Sequence, residues 1–353
     1  MKKIRRRYLV SVAWLVPLLI FTLTGCGGQT GSDTRGAEPK KATIRFSHAL
    51  PERHYISAQF KEWADLTKQK SNGSVEVQLY PSAQLYKDPD VYDAIISGGI
   101  ESGHLYGYIN TRYVPEASSM MTWYLWQNTR EVYDVGIKGP LRAKIDAEME
   151  KKGIKQLAWL PWHAEDFAFL TTKPVKVPAD MKGMTVRATI PEDTAWYKKW
   201  GAEPSYVSGS EQYMALQRGV LQGSLATVAT SVERKLYEVA PYAVLVPMYD
   251  QISIIGINKS FFDQLAPNQQ KAVVDAAKEV EAKSVAAAMK DYDEIMKRAQ
   301  EVGIKVYKPT PEEMKLWTAG KDQIRQQLYS DKPQVTEEIK KLEEQLTAYR
   351  QKK

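Results

Sequence analysis

The folded part of the chain begins with apolar positions of two different periods. Alternation of apolar and polar residues predicts a first strand, with one face formed by Ile44, Phe46 and His48. Helical spacing follows at Ile56, Phe60, Trp63 and Thr67. Alternation returns from Val75 to Tyr80, and Asp88-Pro89 is typical of the start of a helix, here through Ile96. Strand, helix, strand and helix at this spacing predict an α/β sheet with parallel strands.

The middle of the chain repeats this order. Strands are predicted at 154–159 and 184–188, and helices at about 192–201 and 210–217. Ser208-Gly209-Ser210-Glu211 has the residues of a capping box for the second of these helices.

A long helix is predicted late in the chain, because neither Pro nor Gly interrupts the helical pattern from Asn268 to Val302. It would extend roughly 50 Å, which exceeds a small domain. The helix therefore either breaks or spans two lobes. A short strand at Ile304–Tyr307 and a helix start at Thr310 follow. The charged C-terminal stretch is predicted to form a helix on the surface or one that clasps the lobes.

The N-terminus carries the features of an export signal. Five cations, Lys2, Lys3, Arg5, Arg6 and Arg7, precede an apolar run from Leu9 to Leu23. This run of about 15 residues, broken only by polar Ser11 and Thr22, spans about 22 Å, too short to cross a hydrocarbon core of ~30 Å. Leu23-Thr24-Gly25-Cys26 resembles the bacterial lipobox, in which the cysteine carries a lipid. We therefore expect a lipoprotein signal peptide at 1–25 and lipidation of Cys26.

Residues 26–41 are rich in Gly, Ser, Thr, Asp and Lys and are expected to form a flexible tether. A plain signal peptide followed by an incidental or buried cysteine is the alternative. Arg5-Arg6-Arg7 loosely resembles a twin-arginine signal, but no cofactor motif requires export of a folded chain, which favours the general secretory route. We expect an extracytoplasmic or periplasmic protein held to a membrane by lipid.

Composition and charge narrow the function further. The chain has 353 residues and a net charge of +7, but removing the five N-terminal cations leaves +2, which removes the indication of a nucleic-acid partner. A single cysteine excludes an intramolecular disulfide. The mean hydropathy of -0.44 argues against a polytopic membrane protein.

Motifs for catalysis are absent from the sequence. The four histidines, His48, His54, His104 and His163, are scattered without metal-binding spacing. No G-x-S-x-G, P-loop or G-x-G-x-x-G motif occurs. We therefore expect no enzyme, no metal and no cofactor, and a solute receptor is the simplest interpretation.

Several segments, in the right order, resemble the DctP-type solute receptors of tripartite ATP-independent periplasmic (TRAP) transporters. They are Ser47–Pro51, Asn72-Gly73, Pro81–Leu85, Lys173-Pro174, Pro178–Arg187, Trp200–Pro204 and Ser210–Val220. The resemblance implies two α/β lobes joined by crossing strands and a long hinge helix, a periplasmic-binding-protein-like fold. It places one lobe at 42–164 plus about 250–291, and the other at 165–249 plus about 292–353.

The resemblance also implies a function. Ligand would bind in the cleft between the lobes, and the closed receptor would deliver it to large and small permease subunits driven by an ion gradient. Arg187 matches the family arginine that forms a salt bridge with the substrate carboxylate. A planar guanidinium suits this task because it binds a carboxylate through two hydrogen bonds. A surface arginine paired with an acid is the alternative.

Two departures from the family affect the expected ligand. Gln222–Thr227 lacks the asparagine that commonly contacts the ligand, and His163–Phe167 lacks a further arginine. Fewer polar contacts disfavour a highly charged ligand. The aromatic residues Tyr106, Tyr108, Trp123, Trp159 and Trp162 favour an apolar or aromatic body, although each could instead pack in a core.

We therefore expect a monocarboxylate with an apolar or aromatic portion, bound by Arg187. His48, Ser208 and Thr227 are further candidate contacts; a structural role for His48 is an equal alternative. Two other classes remain open: an exported hydrolase, for which no nucleophile and base are evident, and a sensing subunit, which would share the fold. An ABC-type receptor of similar shape is the nearest alternative among binding proteins.

Overall fold

Two mixed β-sheets with surrounding helices make up the part of the chain that the computed structural model describes, residues 40–249 and 251–352. The predicted signal peptide, Cys26 and all but the last two residues of the tether lie outside the described residues. The strands are β1 Ala42–Ser47, β2 Val75–Tyr80, β3 Ser102–Tyr106, β4 Ile154–Pro161, β5 Phe167–Thr171, β6 Thr185–Ala188, β7 Glu203–Tyr206, β8 Gly223–Thr227, β9 Tyr242–Leu245, β10 Ile252–Asn258 and β11 Lys305–Tyr307.

Helices of very different length connect these strands. They are α1 Tyr55–Lys70, α2 Asp90–Ile96, α3 Gly107–Asn110, α4 Thr129–Glu131, α5 Pro140–Lys151, α6 Pro191–Lys199, α7 Gln212–Gln217, α8 Val228–Glu233, α9 Lys259–Gln264, α10 Pro267–Glu301, α11 Pro311–Thr318, α12 Lys321–Tyr329 and α13 Pro333–Gln351. Short 3-10 helices include Pro115–Met121 and Gly209–Glu211, and Val132–Ile137 is a π-helical turn. Within the described ranges, no helix is both long and apolar enough to span a membrane.

The first sheet has the strand order β2-β1-β3-β10-β4 and the second β11-β9-β5-β8-β6-β7. The chain crosses from the first sheet to the second after β4, returns after β9, and crosses again through α10. Because β10 re-enters from the second sheet, it runs antiparallel to β3 and β4, whereas β1 is parallel to β2 and β3. The expectation of parallel strands is therefore correct for β1, β2 and β3 and wrong for β10.

The amphipathic pattern of the first helix is confirmed. Ile56, Phe60, Trp63 and Thr67 are all buried in α1. His54 caps the helix, its Nδ1 accepting a hydrogen bond from the Ile56 N–H at 3.2 Å. The Trp63 indole donates to the carbonyl oxygen of Val273 in α10 at 3.3 Å, which fixes the two helices against each other.

The long helix forms without a break over 35 residues, one residue earlier at each end than predicted. Glu281 in its middle accepts hydrogen bonds from the Trp159 N–H at 2.7 Å and from the Arg142 Nη1 at 2.6 Å, on the side of the first sheet. Near its end Arg298 forms an ion pair with Glu233 of α8, on the side of the second sheet. The helix therefore contacts both halves of the structure.

The C-terminal helix α13 packs against the segment between α3 and α5. Arg350 forms an ion pair with Glu131 at 2.6 Å, and the Tyr349 hydroxyl donates to Asp134 at 2.8 Å. The predicted lobe boundaries remain a prediction, but they assign α13 and its contacts to different lobes. That this helix clasps both lobes therefore stays a prediction as well.

Candidate functional site

A cavity of about 60 Å³ is bordered by residues from both sheets, which is enough for a few water molecules or a small solute. From the first sheet and its connections come Asp88, Tyr106, Tyr108, Trp162 and Gln251. From the second come Phe167, Arg187, Thr189, Gly209, Gln212, Leu225, Ala226, Thr227, Thr230, Arg234 and Tyr249. The lining combines aromatic rings with a few charged groups, as is usual for solute sites.

Arg187 lies at this cavity with only 7% of its surface exposed. It is the third residue of β6, which pairs in parallel with both β7 and β8. Its Nε donates a hydrogen bond to the carbonyl oxygen of Val207 at 2.7 Å, which orients the guanidinium. No carboxylate of the described residues forms an ion pair with it. A buried guanidinium without an internal counter-ion can bind an anion.

Three of the predicted aromatic residues, Tyr106, Tyr108 and Trp162, border the same cavity. The Trp162 indole donates to the Ser253 hydroxyl at 2.6 Å, which fixes the ring. The rings of Tyr106 and Trp162 have centroids 6.3 Å apart. Burial raises the pKa of Tyr108, and the nearby Arg187 guanidinium opposes this effect. These side chains form the aromatic wall of the cavity.

Thr227 borders the cavity as the last residue of β8, where it also caps α8. Its hydroxyl accepts a hydrogen bond from the Thr230 N–H at 3.0 Å. The hydroxyl oxygens of Thr227 and Thr230 are 2.9 Å apart. The capping role explains a threonine at this position without any reference to a ligand.

Four predicted site residues lie away from the cavity. His48 is buried just after β1, with its ring centroid 5.3 Å from that of Phe60. Ser208 occupies the N-cap position of the short helix Gly209–Glu211, and its hydroxyl donates to a Glu211 carboxylate oxygen at 2.8 Å. The neighbour of Ser208, Gly209, borders the cavity in its place.

The other two residues, Trp123 and Trp159, are core tryptophans. Trp123 stacks on Trp196 with ring centroids 5.5 Å apart, and its indole donates to Asp193 at 3.2 Å. The Trp159 indole donates to Asp146 of α5 at 3.0 Å, and Trp159 does not border the cavity. Their apolar bodies contribute to packing, the alternative that the sequence left open for each aromatic residue.

The sequence did not reveal Asp88 and Arg234 as members of the site. The sequence places Asp88 at the start of a helix, but Pro89 is the N-cap of α2 and Asp88 is buried, with 3% of its surface exposed. Arg234 follows α8, and its guanidinium donates to the carbonyl oxygens of Gly209 and Ala49. No local motif marks either residue, because they meet only when the two sheets come together.

The charges at the cavity are two arginines and one aspartate. Burial raises the pKa of Asp88, and the nearby Arg234 and Arg187 oppose this effect. With Asp88 ionised the three groups sum to one positive charge, and with Asp88 protonated to two. Either state favours an anionic solute. Across 40–249 and 251–352, no group of three or more His, Cys, Asp or Glu side chains could hold a metal ion.

Comparison with known proteins agrees with this architecture. The model of the bacterial extracellular solute-binding proteins, family 7 (DctP), matches residues 46–332. The chain is 24% identical over 305 residues to the 2,3-diketo-L-gulonate-binding periplasmic protein YiaO of Escherichia coli K12, covering 86% of this chain and 92% of that protein.

Solved structures of TRAP receptors share the fold. A solute-binding protein of Sulfurospirillum deleyianum with bound succinate aligns with a TM-score of 0.80 at 23% identity, covering 86% of this chain and 98% of that one. The sugar-acid-binding protein DctPAm of Advenella mimigardefordensis, in complex with galactonate, aligns with a TM-score of 0.81 at 21% identity, covering 87% and 98%.

The fold and the cavity between its sheets are those of a two-lobed solute-binding protein, a transport component and not an enzyme. The chain belongs to family 7 of the bacterial extracellular solute-binding proteins, the DctP family. The resemblance to TRAP receptors seen in the sequence is thereby confirmed, as is the predicted two-lobed α/β fold with a long helix.

Proposed function

We propose that this protein captures a small organic acid in the cavity between its lobes and delivers it to a membrane permease driven by an ion gradient. The observation that carries the proposal is Arg187, a buried guanidinium at the cavity with no ion pair to a described carboxylate. A cation in that position is stabilised by an anionic ligand. The relatives named above bind anionic solutes as well: 2,3-diketo-L-gulonate, succinate and galactonate.

The finer proposal is that the ligand is a monocarboxylate with an apolar or aromatic portion. One net positive charge at the cavity, with Asp88 ionised, matches a single carboxylate. The rings of Tyr106, Trp162, Phe167 and Tyr249 border the remaining space and would contact an apolar body. Dicarboxylates and sugar acids, which the relatives bind, are the competing classes.

Titration calorimetry with the purified mature protein distinguishes these classes. The panel comprises aliphatic and aromatic monocarboxylates, succinate, malate and galactonate. We expect an aliphatic or aromatic monocarboxylate to bind more tightly than galactonate or either dicarboxylate. A dicarboxylate or galactonate that binds while every aliphatic and aromatic monocarboxylate fails would contradict the finer proposal and leave the receptor function intact.

Substitution of Arg187 tests the proposal that the protein captures a small organic acid in this cavity. Arg187→Gln should weaken binding of the best ligand by about 100-fold or more, because it removes a charge-assisted bidentate contact. Arg218→Gln is the matched control, since Arg218 is exposed on the same half of the molecule. Equal affinity in the two variants would show that Arg187 does not hold the ligand.

The proposed location is periplasmic or extracytoplasmic, with the mature chain attached to a membrane through lipid on Cys26. Metabolic labelling with a radioactive fatty acid should mark the wild type and not Cys26→Ser. Uptake into membrane vesicles that carry the large and small permease subunits should need this receptor and an ion gradient but no ATP. Uptake that needs ATP would favour an ABC-type system, and binding without uptake would favour a sensing subunit.

A further inference from the structure

Asp88 has a carboxylate oxygen that the described protein does not use. The side chain borders the cavity and is 97% buried, since 3% of its surface is exposed. Oδ2 accepts a hydrogen bond from the Gly209 N–H at 3.3 Å, whereas Oδ1 is buried without a hydrogen-bond partner among the described residues. An unsatisfied buried carboxylate oxygen is costly, so a solute that donates to it gains binding energy.

Neither arginine at the cavity uses its guanidinium to neutralise Asp88. Arg187 donates through Nε to the carbonyl oxygen of Val207, and Arg234 donates to the carbonyl oxygens of Gly209 and Ala49. Neither guanidinium forms an ion pair with Asp88 in the described structure. Both guanidinium groups nonetheless lie close enough to lower the pKa of Asp88, against the effect of burial. The free oxygen is therefore available to a solute in the cavity.

Gly209 keeps this arrangement tight. A Cβ atom at position 209 would lie 2.8 Å from both the Asp88 Oδ2 and the Arg234 Nη1. A side chain at position 209 would therefore require the carboxylate or the guanidinium to shift from its present place. The pair reaches the cavity wall from different halves of the molecule, Asp88 from the loop before α2 and Arg234 from the end of α8.

The charges decide which kind of donor suits Asp88. An ammonium group would sit beside two guanidinium groups, whose repulsion offsets its attraction to the carboxylate. A hydroxyl donates the same hydrogen bond without that repulsion. A monoanion that carries a hydroxyl also neutralises the single positive charge left when Asp88 is ionised.

We propose that Asp88 is a specificity-determining residue, which selects carboxylates that carry a hydroxyl group over the same acids without one. The inference rests on the proposed function, since Arg187 must hold the carboxylate. Asp88 then accepts a hydrogen bond from a hydroxyl group elsewhere on the same solute. The position of the hydroxyl along the ligand is left to the experiment, so both 2- and 3-hydroxy acids are included.

Matched pairs of acids measure this selection directly. Titration calorimetry compares lactate with propionate, mandelate with phenylacetate, and 3-hydroxybutyrate with butyrate. The wild type should bind the hydroxy member of at least one pair about tenfold or more tightly, as expected for a hydrogen bond to a charged acceptor. Alanine and phenylglycine, which carry an ammonium group instead, should bind more weakly than lactate and mandelate.

Variants of Asp88 show whether this residue is the cause. In Asp88→Ala the ratio of affinities within the pair should fall to about 1. Asp88→Asn, which can still accept from the Gly209 N–H, should lower the ratio at least threefold because the acceptor is no longer charged. Asp90→Asn, two residues away and exposed, should keep the wild-type ratio. A ratio within one variant does not depend on the fraction of folded protein.

The outcomes separate the two proposals. Equal binding of both members of every pair, or an unchanged ratio in both Asp88 variants, overturns the role of Asp88 while Arg187-dependent binding keeps the receptor function. Tighter binding of an ammonium acid overturns the charge argument. If no acid of any class binds, both proposals fail together.

Discussion

Single side chains at the cavity show how much a local motif can reveal. Arg187 stands in a motif of the family, and Tyr106, Tyr108, Trp162 and Thr227 were also named from the sequence; all five border one cavity. Their contact with a ligand stays a prediction. His48, by contrast, is enclosed by the rings of Phe46 and Phe60.

Burial of His48 predicts a dependence of stability on pH. Burial lowers the pKa of His48 to about 4, whereas the unfolded value is about 6.5. Between these values the unfolded chain binds more protons than the native protein, so the free energy of unfolding should fall as the pH drops from about 6.5 to about 4. The contribution of His48 is about 3 kcal/mol over this range.

Urea denaturation at pH 7 and pH 4.5 measures the effect. His48→Gln should lose less stability than the wild type between these pH values, although buried His54 and His104, whose pKa values are also lowered, leave part of the slope. Ligand affinity at pH 7 should change by less than about twofold, because His48 does not border the cavity. An equal slope in wild type and variant would refute the buried neutral state of His48.

Asp88 and Arg234 illustrate what sequence reasoning missed at the residue scale. They are far apart in the chain and have no local pattern in common. Asp88 precedes a helix, where an aspartate is ordinarily a cap, and Arg234 follows a helix, where a cation is ordinarily favourable. Only the meeting of the two sheets brings both to one cavity.

At the scale of elements, periodicity predicted the helices well. The predicted long helix and the observed α10 differ by one residue at each end, because Pro267 and Gly303 bound an uninterrupted helical sequence. Strand direction was predicted less well. The chain enters β10 from the second sheet, and this path sets the antiparallel direction of the strand. The apolar sequence of a buried strand carries no information about its direction.

The C-terminal helix α13 offers a test at this scale. Leu342 is buried with 2% of its surface exposed, whereas Leu316 in α11 is 54% exposed. Leu342→Ala should lower the free energy of unfolding by about 2–4 kcal/mol, because it leaves a cavity under the helix. Leu316→Ala should change it by less than about 0.5 kcal/mol.

Chemical denaturation of the two variants under identical conditions measures the difference. Equal loss of stability in Leu342→Ala and Leu316→Ala would mean that α13 is not packed as described. The helix lies after the residues matched by the family model. The family match therefore gives no expectation for how much α13 stabilises the protein, and the two variants measure it directly.

At the scale of the whole molecule, several contacts join the two halves beside the cavity. Arg53, which follows β1, donates to the carbonyl oxygen of Glu233 in α8 at 2.7 Å. Lys87 forms an ion pair with Glu211 at 2.7 Å, and Asp88 contacts Gly209. Since these contacts join the two halves, we expect them to stabilise a closed arrangement over an open one.

Removal of one such contact should shift the protein toward an open form. Arg53→Ala should weaken ligand binding by about 3- to 10-fold, because fewer molecules occupy the closed state in the absence of ligand. The exposed Arg112 supplies the control variant Arg112→Ala. Calorimetry gives the affinities, and small-angle scattering of the ligand-free proteins should show a larger radius of gyration only for Arg53→Ala. Unchanged affinity and radius would argue against a role of these contacts in closure.

A crystal structure of the protein with its tightest-binding carboxylate tests the central claim most directly. The account predicts carboxylate oxygens at about 2.7–3.2 Å from the Arg187 guanidinium nitrogens, enclosed between the two sheets. A solute bound elsewhere, or an Arg187 turned away to pair with a carboxylate of the protein, would contradict it.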